Sequence, residues 1–206
     1  MNKQISNKLE TLLCDVITTN FLTQRNKIEP LASNLLSSFI KSILSFPQNE
    51  RNSSQFFVKF RVFFVLFLTD KDYLLKLIDQ NSFVNISSVW VSLFDYFSSN
   101  GSVLDQKLNL LSFLELFHFD FLQNLFPSML TKLWDCYSLI KQKDLDIFSK
   151  REKKLSQPIF SIYEKLKNFS RKEIASFVIN KLNSLPKLKN IPSYSIFLDF
   201  FLQETK

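Results

Sequence analysis

One glycine, Gly101, and one histidine, His118, are all that 206 residues contain of either type, beside two alanines and two cysteines. The glycine shortage excludes several architectures. Tight hairpin turns and kinked sheets rely on residues at positive φ, and asparagine supplies only some of them. A GxxxxGK[ST] phosphate loop or a GxGxxG dinucleotide turn needs more glycines than the chain has. The histidine shortage bears on catalysis in the same way. A triad, a histidine metal centre or a histidine general base would each have to use His118. Its neighbours Glu115 and Asp120 do not complete a ligand set, and Cys14 and Cys136 show no metal-ligand spacing. His118 therefore reads as a helix-end residue, a position the helix dipole favours for an imidazole. Paired acids such as Asp144 and Asp146 read as surface carboxylates. The expectation is a non-enzyme with no cofactor and no metal.

Long apolar runs are missing as well. The longest, Val62 to Leu68, follows Lys59 and Arg61 and is far short of the about 20 residues that cross a bilayer. Lys3, Lys8, Glu10 and Asp15 occupy the stretch where a signal peptide would be uncharged. No membrane span and an intracellular site, nucleus or cytoplasm, are expected, with both cysteines as reduced, buried thiols. The N-x-S sequons at Asn52, Asn85, Asn100 and Asn168 have no weight without a secretory route.

What is present is phenylalanine, lysine and asparagine: 24 Phe, 21 Lys against 5 Arg, and 16 Asn against 2 Ala. A/T-rich codons specify these residues and G/C-rich codons the scarce ones, so base composition explains the skew without a binding role for phenylalanine. Hydrophobic residues at 46% with only 6 prolines point to a packed core.

Apolar spacings of three and four recur along the chain and predict helices. The first covers about 4–20, with Ile5, Leu9, Leu12, Leu13, Val16 and Ile17 on one face. The second opens at Pro30 and stops at Pro47. A third carries Phe56, Phe57, Phe60, Phe63, Phe64 and Phe67, with Val62, Val65, Leu66 and Leu68 opposite, and is expected to be buried on several sides. Thr69 and Asp72 resemble a capping box for a short helix through Ile78. A break is expected at 81–85, then a helix with Val89, Trp90, Leu93, Phe94 and Phe97, closed by a turn at Ser98–Gly101. Leu104, Leu108, Leu111, Leu114 and Phe117 mark the next, and Pro127 opens another with Leu130, Leu133, Trp134, Tyr137 and Ile140. Two more follow, near 157–167 and 171–182, the latter capped by Ser170 and Glu173 and turning Ile174, Phe177 and Val178 inward. The segment with Tyr194, Phe197, Leu198 and Phe201 is a helix or a strand, the helix preferred. Leu9, Leu13, Leu36, Phe39, Phe60, Phe64, Leu93, Leu111, Leu133 and Phe177 are expected in the core, anchored by Trp90 and Trp134.

The expected fold is one all-α domain over 1–206. Antiparallel helix pairs stack as a short HEAT-like solenoid in one arrangement and form an irregular bundle in the other. Its portion 141–190 is basic, with 13 Lys and Arg against 5 Asp and Glu. Lys150, Arg151, Lys153 and Lys154 form the densest cluster, followed by Lys165, Lys167, Arg171 and Lys172. A solvated face, an acidic protein partner and a nucleic acid each fit such a stretch. The scarcity of arginine, whose planar fork suits phosphate, weighs against the last.

The pattern DxKLxxLxxLxxF, formed by Asp105, Lys107, Leu108, Leu111, Leu114 and Phe117, is followed by Phe126, Pro127, Leu130 and Leu133. This stretch resembles the C-terminal HEAT repeats of the importin-β/karyopherin superfamily, with phenylalanine and serine where those proteins carry alanine. Members of that family are several times longer, and their GTPase-binding N-terminal repeats have no counterpart here. The resemblance implies a nuclear-transport-receptor scaffold with a small GTPase, cargo or nucleoporins as partners, and it assigns no binding residue. A structural or adaptor subunit of another intracellular complex and a Lys-rich ribonucleoprotein binder are the alternatives.

Overall fold

The computed structural model of the chain describes residues 3–142 and 155–206; side chains are described outside 3–10, 25–30 and 33. Among the described residues there are ten α-helices and no strand. They are α1 (Lys3–Thr23), α2 (Arg25–Leu44), α3 (Ser54–Thr69), α4 (Lys71–Leu77), α5 (Gln80–Asn100), α6 (Val103–Leu114), α7 (Phe126–Gln142), α8 (Gln157–Asn168), α9 (Arg171–Asn183) and α10 (Tyr194–Glu204). Two compact units emerge. The described residues of the first are 3–93 and 155–163, and those of the second 94–142 and 164–206.

In the first unit α3 is the central element. Every residue from Phe60 to Phe67 is buried, so the helix packs on all sides, as its uninterrupted apolar sequence requires. Ser53 caps it, accepting the amide of Phe56 at 3.3 Å. Trp90 of α5, fully buried, meets Phe63, Phe64 and Phe67 at ring-centroid distances of 5.6, 4.8 and 5.7 Å. Each such pair adds about 0.5–1.5 kcal/mol beyond the area it removes from water.

Residue Arg61 breaks the apolar pattern of α3. It is 3% exposed, and its guanidinium bonds to the Asp15 carboxylate of α1 at 2.9 Å. A buried cation must be paired, so this contact sets the rotation of α1 about its axis. The helix turns Cys14, Thr18 and Phe21 inward. The face expected from spacing points outward instead: Leu12, Leu13 and Val16 are 62%, 57% and 54% exposed. Leu9 lies outside the described side chains. The second helix also departs from expectation, starting at Arg25 and enclosing Pro30 within its length.

Two local expectations in this unit are corrected. The cap of α4 is Asp70, which accepts the Tyr73 amide at 3.3 Å. Thr69 still belongs to α3, its hydroxyl donating to the Val65 carbonyl at 2.7 Å. The break expected at 81–85 is absent. Asp79 accepts the Ser82 amide at 2.9 Å and starts α5, whose buried stripe is Phe83, Ile86, Trp90, Phe94 and Phe97. That stripe leaves Leu93 half-buried.

In the second unit α6 is the interior helix, with every residue from Leu104 to Leu114 buried. Its polar side chains are consequently placed on specific partners. Gln106 donates to the Ser98 carbonyl, Asn109 to the Ser98 hydroxyl at 3.1 Å, and the Cys136 thiol to the Gln106 carbonyl at 3.7 Å. Ser102 and Asp105 form a reciprocal capping box at its start. Only Gly101 and Ser102 separate α5 from α6, so the turn is shorter than the composition suggested. No described residue, Gly101 included, has positive φ. The terminal segment is helical, and α10 lays Phe200 and Phe201 against Trp134 of α7 at 4.9 and 5.3 Å. Phe177 is 37% exposed, because Ile174, Ala175, Val178, Ile179 and Leu182 already fill the inner side of α9.

Candidate functional site

The basic portion divides into parts with different surroundings. Lys150, Arg151, Lys153 and Lys154 lie outside the described residues. Lys181 and Lys187 are ion-paired: Lys181 reaches Glu115 at 2.5 Å, and Lys187 reaches Asp120 at 2.6 Å and the His118 carbonyl at 3.0 Å. His118 itself stands 3.8 Å from Glu115, at the end of the 3-10 turn Glu115–His118. This cluster ties a connection of the second unit to α9 and to the segment after it.

The remaining predicted residues, Lys165, Lys167, Arg171 and Lys172, are brought together by the turn between α8 and α9. Two residues, Phe169 and Ser170, connect those helices. Ser170 accepts the Glu173 amide at 3.2 Å, and Glu173 accepts the Ser170 amide at 2.7 Å, the capping box expected from sequence. These hydrogen bonds, that of the Ser170 side chain first, hold the Glu173 carboxyl below its ordinary range. Lys165, Lys167 and Lys172 are exposed and Arg171 half-buried.

Behind the turn lies a residue that the sequence placed in the DxKLxxLxxLxxF pattern but not at this site. Lys107 of α6 is 2% exposed, and its ammonium donates to the carbonyls of Leu166 and Phe169, each at 3.0 Å. It caps the C-terminal end of α8, where carbonyls lack intrahelical partners and the dipole favours a cation. Nothing in the local pattern marks its burial, since a lysine amid leucines on a helix is normally solvated.

Two further elements reach this region. The Tyr137 hydroxyl of α7 stands 3.4 Å from the Arg171 carbonyl and 3.5 Å from the Glu204 carboxylate. Burial pushes its phenol up to about 12, and the neighbouring Glu204 charge acts in the same direction. Lys141 pairs with Glu204 at 2.7 Å, and Lys172 donates to the Lys206 carbonyl at 3.1 Å.

The surface of the first unit carries depressions among its described residues. A cleft of about 240 Å³ is lined by Phe21, Leu22, Leu66, Thr69, Asp70, Tyr73 and Leu74. A groove of about 330 Å³ on α1 is lined by Leu12, Asp15, Val16, Thr19, Asn20 and Ser156. Among the described residues, no three His, Cys, Asp or Glu side chains are grouped to hold a metal ion, and no helix is long and apolar enough to cross a membrane. Cys14 and Cys136 are buried thiols outside any disulfide. No family model matches this chain, and no curated protein or solved structure shows significant similarity to it.

Proposed function

We propose that this chain is a non-enzymatic protein-interaction scaffold, and that the outward side of α1 receives an apolar helix of a protein partner. The observation that carries this reading is the exposure of Leu12, Leu13 and Val16 on one side of a helix whose opposite side is already packed. Exposed apolar clusters on folded proteins mark interaction surfaces more often than isolated exposed residues do. The groove beside them is walled by the uncharged side chains of Thr19, Asn20 and Ser156. Its one charge, Asp15, is paired with Arg61. Such a lining suits an apolar helix face, with each leucine covered contributing about 1.5–3 kcal/mol.

The scaffold is proposed to be of the nuclear-transport-receptor kind, with HEAT-like helix pairs, acting in the nucleus or cytoplasm. Supporting this are α6 and α7, which pack together and bury Leu108, Leu111, Leu130 and Leu133, the positions that carry the resemblance. Nucleoporins, a small GTPase or cargo are the partners this reading names.

The test is photo-crosslinking in native cells from a reactive residue placed at Val16. A discrete adduct with a nucleoporin, transport GTPase or cargo protein, lost in L12K/L13K, is expected. An adduct with a second copy of the chain, or no adduct, would refute docking of a partner helix at this face.

A further inference from the structure

We infer that the α8–α9 turn of the second unit is a docking surface for an acidic peptide segment that also carries an apolar side chain. This surface is separate from the outward side of α1, and it stands whether or not that side binds a partner.

The argument begins with charge. Lys165, Lys167, Arg171 and Lys172 fall within eight residues around a two-residue turn, with Glu164 and Glu173 immediately flanking that stretch. Lys107 adds a fifth cation from beneath, held among buried groups by the carbonyls of Leu166 and Phe169. A charge fixed in a poorly polarisable interior is screened less than one in water, so its field reaches the surface of the turn. By occupying the end of α8, Lys107 also offsets the partial negative charge that those carbonyls would otherwise present to an incoming anion. The turn therefore presents three exposed lysines, Lys165, Lys167 and Lys172, to solvent, with Arg171 half-buried beside them, Lys107 buried beneath, and the carboxylates of Glu164 and Glu173 on either side.

The second part of the argument is apolar. The Phe169 ring in the turn packs edge-on against Phe177 at 6.1 Å, and Phe177 is 37% exposed. A phenyl ring beside lysines offers contact to an apolar side chain whose neighbours in sequence are acidic.

These features favour a peptide over a nucleic acid. The described cations surround a turn and do not form a stripe that could follow a phosphate backbone. Lysines outnumber the single arginine, and Arg171 is half-buried with its carbonyl near Tyr137. Glu164 and Glu173 would stand against a continuous phosphate chain, whereas a peptide places its acids on the lysines and leaves the glutamates in water.

The experiment uses the full chain and a fluorescein-labelled synthetic peptide of aspartate and glutamate with one central phenylalanine, titrated by anisotropy at low and high salt. Single-stranded oligouridylate of matched charge serves as the second probe. Saturable peptide binding that weakens with salt is expected. The variant K165A/K167A/K172A, all three exposed positions, should weaken it about tenfold while its circular dichroism stays unchanged. F177S should weaken the peptide several-fold at an unchanged salt dependence and leave oligouridylate unaffected. Absence of peptide binding, or equal affinity in the triple variant, overturns the proposal. Tighter binding of oligouridylate than of the peptide, with F177S neutral toward both, overturns it in favour of a nucleic-acid surface.

Discussion

Replacing Asp15 by alanine tests the packing of the first unit where it is least apolar. The Arg61 guanidinium is 3% exposed and Asp15 16% exposed, at 2.9 Å. Removing one partner of a buried ion pair costs about 3–5 kcal/mol, because the other charge stays buried without it. Water already reaches Asp15 in part, and that access lowers the expected loss for D15A to about 2–4 kcal/mol. For a chain of this size the corresponding fall in Tm is on the order of 4–16 °C. The double variant D15A/R61L removes both charges and adds a side chain that α3 can pack, so it should recover most of the loss. Urea unfolding followed by far-UV circular dichroism measures all three proteins, with the slope checked for constancy. If D15A costs less than about 0.5 kcal/mol, or if the double variant is no more stable than D15A, Arg61 does not set the rotation of α1.

Leu111→Ala in α6 should cost about 2–5 kcal/mol by denaturant unfolding, since Leu111 is 5% exposed and the helix is enclosed on all sides. Ser170→Ala should cost about 0.5–2 kcal/mol through loss of the cap on α9. The Glu173 carboxyl is held low in the folded chain, so its contribution is present above the unfolded value and lost as pH falls through the folded one. In S170A that acid-side loss should shrink, as a stability profile against pH will show. Tyr137 should ionise near pH 12, after the ordinary phenols, in an ultraviolet titration. Its raised value makes the contribution full below about 10, the usual phenol pKa, and lost as pH rises through about 12, a loss that Tyr137→Phe should remove.

Much of the local structure was legible in the residues. The spacings of three and four placed nearly every helix, and Ser170 with Glu173 marked the start of α9 because a capping box is a local device. The equivalent box at Ser102 and Asp105 was overlooked, since the serine- and asparagine-rich stretch before it read as loop. The same bias produced the expected break at 81–85, where Phe83 and Ile86 in fact continue the buried stripe of α5. The basic turn was half legible: the cations were named from sequence, while Lys107 behind them was not identified as buried.

By itself, the order of residues determined the all-helical class, because helix periodicity, capping and the near absence of glycine act over a few positions. The tertiary structure decided which side of each helix is core. Leu12, Leu13 and Val16 have helical spacing as regular as that of Phe60, Phe63 and Phe64, yet they face water. An apolar stripe states only that a helix is able to be buried there. The partner that competes for it, here a buried arginine requiring Asp15, lies 46 residues away in the chain. The burial of Lys107 has the same origin, since its two carbonyl partners are 59 and 62 residues distant and meet it only when α8 closes on α6.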